Sequence, residues 1–78
     1  MIVDTKTLGA IIRSQRKSKR LTIAELAAHC NVGIRFISEL ENGKETSEIG
    51  KALKVITRLN LVVTITPADT GSMPEGQE

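Results

Sequence analysis

The stretch LTIAELAAHCNVGIRFISELENGK, residues 21–44, decides the fold of this 78-residue chain. Near its start, Thr22 and Glu25 have the spacing of a capping box, in which each side chain accepts a hydrogen bond from the other residue's backbone N–H. The box predicts a helix that begins after Thr22 and runs to about His29 or Cys30. The quoted stretch therefore opens with a short helix whose start is well defined.

A second short helix follows after a turn of four residues, 30–33, which is long enough only for a sharp change of direction. This helix spans about Gly33 to Glu41, and Asn42-Gly43 is its C-cap signal. Two short helices joined by such a turn are typical of a helix-turn-helix. That unit places the N-terminal half of its second helix in the major groove of DNA.

Two further helices are predicted to flank this unit. The first has Thr5 or Thr7 as its N-cap, runs to about Lys19, and carries a stripe of basic residues at helical spacing: Arg13, Arg16, Lys17 and Arg20. The last is capped by Thr46 or Ser47, ends at Asn60, and has apolar residues at helical spacing: Ile49, Ala52, Leu53, Ile56 and Leu59. The expected architecture is mostly α, a bundle of four helices.

The residues after the fourth helix predict a β-strand, because they form a run rich in β-branched side chains: Leu61, Val62, Val63, Thr64, Ile65 and Thr66. An isolated strand leaves its backbone donors and acceptors unpaired. We therefore expect it to pair with the same strand of a second copy across a homodimer. The predicted domain spans residues 1–66, followed by a disordered acidic tail, 67–78.

Charge and composition favour a binding module with an anionic partner. The net charge is +2, but residues 1–60 hold all 11 basic residues and sum to +5, whereas the last 18 residues sum to −3. With one Cys and one adjacent His, a disulfide within the chain is excluded and a metal site is not expected. No phosphate loop, membrane span or signal peptide is evident, so we expect a soluble protein that is not an enzyme and needs no cofactor or small-molecule ligand.

The sequence resembles the Xre family of bacterial and phage helix-turn-helix proteins. The resemblance covers about residues 8–60 and rests on Leu8, Ile12, Arg13 and Arg16, on Leu21-Thr22, Glu25-Leu26-Ala27 and Val32, and above all on Ile37-Ser38-Glu39-Leu40-Glu41-Asn42-Gly43-Lys44. It implies a bundle like that of lambda repressor. The strand after the fourth helix is most similar to that of HipB-type antitoxins, which bind operator DNA in their own operon and hold a HipA-type serine/threonine kinase toxin. This implies a cytoplasmic repressor that associates with the nucleoid when bound to DNA.

The resemblance also implies which residues read base edges: Gly33, Ile34, Arg35, Ser38 and Glu39. Arg35 is the strongest candidate, because its planar guanidinium can donate to both O6 and N7 of guanine. Ile34 can make only apolar contact, for example with a thymine methyl group. Glu39 can accept from the N4 amino group of cytosine or remain solvated.

The family's phosphate-contacting positions fall on a second set of residues: Arg13, Arg16, Thr22, Ile23, Asn42 and Lys44. Ile23 stands where the family usually has Gln, so this anchor is left to backbone amides. In the family the positions of Arg16 and Glu41 commonly form an ion pair beneath the DNA surface. If the pair is buried, removing one partner costs about 3–5 kcal/mol, because a charge is left without compensation.

Two alternatives to a toxin-binding repressor stay open. One is a free-standing Xre-type regulator with no toxin partner. The other is a protein-interaction adaptor whose helix-turn-helix does not meet DNA. The lack of any acidic residue between positions 13 and 20 argues against the adaptor, as do Arg35 and Lys44.

Overall fold

The computed structural model describes residues 4–45 and 48–67. This part of the chain forms four helices: α1 (Thr5–Ser18), α2 (Ile23–Cys30), α3 (Ile34–Glu41) and α4 (Ile49–Arg58). Helix α3 packs against α1 and α2, and α4 packs against α2. The prediction of a mostly α, four-helix bundle with a central helix-turn-helix is therefore confirmed. Thr46, Ser47 and the predicted acidic tail from residue 68 onwards lie outside the described residues.

The starts of the helices agree with the sequence at α2 and differ from it at α1. At α2 the capping box is complete, since Thr22 N–H donates to Glu25 Oε1 at 2.8 Å and Glu25 N–H donates to Thr22 Oγ1 at 3.0 Å. The N-cap of α1 is Asp4, where we expected Thr5 or Thr7. Thr7 N–H donates to Asp4 Oδ1 at 2.7 Å, and this backbone hydrogen bond holds the pKa of Asp4 below its usual value. A carboxylate at this position also complements the positive end of the helix dipole.

A residue in the left-handed conformation follows each of the four described helices, beginning with Arg20 after α1, which has a φ of 60°. Asn31 caps α2 with a φ of 57°, and Asn60 follows α4 with a φ of 61°. Gly43 follows α3 with a φ of 80°, where its lack of a Cβ matters. The predicted stops at Asn42-Gly43 and at Asn60 are thus confirmed.

The core is almost entirely aliphatic and joins all four helices. Its fully or nearly buried apolar residues are Ile12, Leu26, Ala27, Cys30, Ile37, Leu40, Ala52, Val55, Ile56 and Leu59. Of the five apolar residues at helical spacing in α4, only Ala52, Ile56 and Leu59 are buried. Ile49 is 68% exposed and Leu53 is 44% exposed, whereas Val55 is fully buried. The reason is that α4 turns the Ala52, Val55 and Leu59 side of its apolar stripe towards the bundle, which leaves Ile49 and Leu53 on the flank.

The β-strand predicted at residues 61–66 is not present in the single chain. Residues 61–67 have no regular secondary structure, although Leu61 still packs against the core. Val62 and Ile65 are 87% and 89% exposed. A strand needs a hydrogen-bonding neighbour, and no other segment in residues 4–45 and 48–60 is extended enough to provide one. The prediction therefore did not hold for the isolated chain.

Helix α1 lies unusually close to the C-terminal end of α3, and Gly9 makes this possible. A Cβ atom at Gly9 would lie 2.5 Å from the Leu40 carbonyl oxygen and 2.6 Å from the Glu41 carbonyl oxygen. The Thr5 hydroxyl adds a hydrogen bond of 2.6 Å to the Gly43 carbonyl oxygen. The backbone of α1 thus packs directly against the last turn of α3.

We expect Gly9→Ala to destabilise the protein. An alanine in a helix is ordinarily favoured over glycine by about 1 kcal/mol. At Gly9 the added methyl group forces two helices apart, and overpacking of this kind costs about 1–3 kcal/mol. The matched control is Gly50→Ala in α4, because a Cβ there meets no atom within 4 Å. Urea unfolding of both variants should show a loss of stability for Gly9→Ala and none for Gly50→Ala; equal behaviour of the two would contradict the close approach.

Candidate nucleic-acid interface

An ion pair beneath one surface of the bundle fixes α3 relative to α1. Arg16 Nε lies 2.6 Å from Glu41 Oε2, Arg16 Nη2 donates to Glu41 Oε1 at 3.0 Å, and Arg16 Nη1 donates to the Leu21 carbonyl oxygen at 2.7 Å. The hydrogen bonds that Arg16 donates to the Glu41 carboxylate raise the pKa of Arg16 above its ordinary value. The side chains of Arg16 and Glu41 are only 9% and 5% exposed. The two opposite charges are therefore paired in a site that is nearly closed to water.

The same geometry decides between two roles that were expected for Arg16. All three of its guanidinium nitrogens donate within the protein, and the side chain lies below the surface. This placement favours the structural role over a phosphate contact. Arg13, one turn earlier on α1, is exposed and is the member of the basic stripe that lies next to this surface.

Above the ion pair is an open polar groove of about 220 Å³ where α1, α2 and α3 meet. Its lining residues are Arg13, Arg16, Ile23, Ser38, Glu41 and Asn42. Five of these six residues are among those that the sequence assigned to base or phosphate contacts. The fold thus brings residues from three helices together at one surface.

The N-terminal end of α3 is exposed to solvent. Gly33 is its N-cap, makes no side-chain capping bond, and has open space around its Cβ direction. Ile34 is exposed, and the side chain of Arg35 is 90% exposed. The first backbone N–H groups of a helix have no partner within the helix, and the helix dipole makes this end attractive to anions. A base edge or phosphate approaching α3 would meet Gly33, Ile34 and Arg35 first.

The residues expected to contact phosphate differ in whether their side chains already make hydrogen bonds within the protein. The side chain of Thr22 is occupied by the capping box, and Asn42 Nδ2 donates to the Ser38 carbonyl oxygen at 2.8 Å. Ile23 is partly buried, packs against the core and lines the groove with an apolar side chain, so its backbone N–H at the start of α2 is the one donor that it can offer. Lys44 remains largely exposed just beyond α3.

Sequence reasoning did not anticipate the environment of Glu39. Its Oε2 lies 3.1 Å from Lys44 Nζ and 3.4 Å from Arg35 Nε. The spacing of four residues between Arg35 and Glu39 is a signal for such a contact along a helix. The contact with Lys44 has no comparable signal, because it depends on the turn at Gly43 that brings the chain back past the end of α3.

The described residues give little support for a metal site, a nucleophilic cysteine or a membrane-spanning helix. Residues 4–45 and 48–67 contain no group of three or more His, Cys, Asp or Glu side chains placed to hold a metal ion. Cys30 lies in the core, where burial raises the pKa of its thiol, so it is poorly suited to act as a nucleophile. None of the four described helices is both long and apolar enough to cross a membrane.

Comparison with known proteins agrees with this geometry. A family model described as helix-turn-helix matches residues 12–62. An HTH-type transcriptional regulator of Sinorhizobium fredii, y4mF, is 45% identical over 58 residues, which span 74% of this chain and 76% of the relative.

Solved structures of HipB resemble the whole bundle. A chain from a complex of HipB with an O2 20mer superposes with a TM-score of 0.77 and 25% identity, covering 88% of this chain and 96% of that chain. A chain from the HipA-HipB-O2-O3 complex also gives a TM-score of 0.77, with 22% identity, covering 88% and 97%; at that identity the likeness concerns the fold alone. Taken with the family match over residues 12–62 and the exposed N-terminus of α3, these similarities show that the chain belongs to the helix-turn-helix family, as an Xre-type DNA-binding transcriptional regulator.

Proposed function

We propose that this protein is a repressor that binds a palindromic operator as a homodimer, with α3 of each copy in the major groove. The observation that carries the proposal is the exposed N-terminus of α3, where Arg35 projects from a surface that the buried Arg16–Glu41 pair holds rigid. Arg35 has the length and planar donor arrangement to recognise guanine O6 and N7. Gly33 at the N-cap, and Ile34, Ser38 and Glu39 within α3, are the remaining candidates for contact with base edges.

Phosphate contacts would fix the orientation of α3 on the duplex. The candidates are the exposed cations Arg13 and Lys44, the backbone N–H of Ile23, and the side chains of Thr22 and Asn42. Three of these residues, Arg13, Ile23 and Asn42, line the polar groove between α1, α2 and α3. Contacts of this kind carry no sequence information but position the helix that reads the bases.

Homodimer formation is supported by a second, apolar groove between α1, α4 and the C-terminal segment. This groove, of about 690 Å³, is lined by Leu8, Ile11, Ile49, Ala52, Leu53, Ile56 and residues 61–66. Several of these side chains are exposed in the single chain, which costs stability in a domain of 78 residues. Antiparallel pairing of residues 61–66 from two copies would satisfy their backbone groups and cover the groove. A two-fold dimer then presents its two α3 helices to half-sites about 34 Å, or a multiple of that, apart.

We further infer that the dimer acts as an antitoxin that binds a HipA-type serine/threonine kinase and represses its own operon. The support is the likeness to HipB chains in complexes with an O2 20mer and with HipA. A free-standing repressor is the second candidate, supported by the 45% identity to an HTH-type transcriptional regulator. The DNA-binding surface is the same in both cases, so only a test with a kinase separates them.

Base reading and phosphate anchoring predict different responses to alanine substitution. Arg35→Ala should lose about 1–3 kcal/mol of preference for one base pair in each half-site, whereas Lys44→Ala should weaken binding to all sequences alike and flatten the salt dependence. Lys54→Ala in α4 removes the same charge away from this surface and is the control. Titration of operator and random duplexes at several salt concentrations measures both effects. An unchanged ratio of operator to random affinity in Arg35→Ala would contradict the assignment.

Strand pairing predicts that proline at residue 62 or 63 disrupts the dimer. Successive backbone N–H groups of a strand point to opposite sides, so one of Val62→Pro and Val63→Pro must remove a hydrogen bond shared by the two copies. Val63→Thr keeps the N–H and the β-branched shape and is the control. Analytical ultracentrifugation at micromolar concentration should show a dimer for the wild type and for Val63→Thr, and dissociation for at least one proline variant. A monomeric wild type would contradict the dimer proposal.

The antitoxin role predicts that the protein suppresses the toxicity of a HipA-type kinase. Co-expression with a kinase encoded beside it should restore growth, and the two purified proteins should co-elute from a sizing column. The same experiment with a chain ending at residue 66 shows whether the acidic tail contributes. Operator binding without any effect on the kinase would leave the free-standing repressor as the function, and absence of DNA binding would favour the adaptor.

A further inference from the structure

The carboxylate of Glu39 lies between two exposed cations on the proposed DNA-facing surface. Its Oε2 is 3.4 Å from Arg35 Nε and 3.1 Å from Lys44 Nζ. Glu39 is the most buried of the three side chains, with 36% of its side chain exposed against 90% for Arg35 and 61% for Lys44. A partly buried acid therefore contacts two more exposed basic side chains.

Glu39 contacts Arg35 at Nε, the guanidinium nitrogen nearest to the backbone. Recognition of guanine needs two parallel N–H donors, and the terminal nitrogens Nη1 and Nη2 provide such a pair. A carboxylate at Nε leaves that pair pointing away from α3. It also restricts the rotation of a long side chain, and restricting a side chain before binding lowers the entropy that binding must remove.

We propose that Glu39 is a positioning residue that orients Arg35 for guanine and thereby sets base preference at that position. The inference rests on the proposed function, because it requires Arg35 to read a base. When DNA excludes water from the surface, the attraction between Glu39 and Arg35 strengthens, since the local dielectric falls. Glu39 also carries a negative charge close to the phosphates, so it weakens binding to DNA of any sequence. Its net effect is lower affinity for random DNA and sharper preference for the operator.

Three variants separate orientation from simple charge. Glu39→Gln removes the charge and weakens the hold on Arg35. Glu39→Asp keeps the charge but shortens the side chain, so that its carboxylate no longer reaches Arg35 Nε. Glu45→Gln removes an exposed acid next to Lys44 that lies beyond α3, and it is the control for charge alone. Thermal unfolding of each variant checks that α3 remains folded.

The experiment is a competition-binding series in which each base pair of the operator half-site is changed in turn. Arg35→Ala first identifies the position that Arg35 reads. At that same position, both Glu39→Asp and Glu39→Gln should reduce the preference by about twofold. Random-sequence affinity should rise for Glu39→Gln and Glu45→Gln and stay nearly unchanged for Glu39→Asp. Glu45→Gln should retain the wild-type preference.

Each contrary outcome has its own meaning. If Arg35→Ala reduces the preference at one position but the Glu39 variants keep it, Glu39 does not orient Arg35 and the inference is wrong. If the Glu39 variants lose preference at a different, cytosine-containing position, Glu39 contacts a base itself and the inference is again wrong. If Arg35→Ala changes no position while binding persists, the base contact assigned to Arg35 fails instead.

Discussion

The attachment of α1 to the C-terminal end of α3 is the constraint on which the rest of the structure depends. It combines a backbone approach that only a glycine at position 9 permits with a bidentate ion pair between Arg16 and Glu41 that is nearly closed to water. A buried ion pair is an uncertain source of net stability, because desolvation offsets much of the attraction. Its hydrogen bonds form, however, only when the two side chains have one defined relative position. The pair therefore defines the angle at which α3 leaves the bundle, and with it the direction of Arg35.

The two halves of the molecule divide the tasks of binding DNA and of associating with another chain. Helices α1, α2 and α3 contribute polar groups to one surface, which has exposed cations and a helix N-terminus. Helix α4 and residues 61–66 present exposed aliphatic side chains, of which Ile49 and Val62 are examples. A domain this small buries too little apolar surface to leave such groups exposed without cost. Association through the second surface would compensate for the cost and would set the spacing between two DNA-reading helices.

Local sequence signals predicted the parts of the fold that depend on neighbouring residues. The capping box at Thr22, the turn before α3 and the stop at Asn60 are short-range features, and each was predicted correctly. Which apolar residues of α4 are buried was not predicted, because burial of Val55 and exposure of Ile49 depend on where α2 packs. The contact of Glu39 with Lys44 was missed for the same reason, since it forms across the turn at Gly43. The segment at 61–66 has the composition of a strand but no partner within the described part of one chain.

The central claim is that the surface formed by α1, α2 and α3 is the one that meets DNA. The most direct test is a titration of the isotopically labelled protein with a duplex containing the operator, followed by amide NMR shifts. The account predicts that the largest shifts fall at Ile23, at residues 33–35 and at Lys44, while the outer face of α4 around Leu53 changes little. Shifts centred on α4, or no shifts with any duplex at low salt, would contradict it.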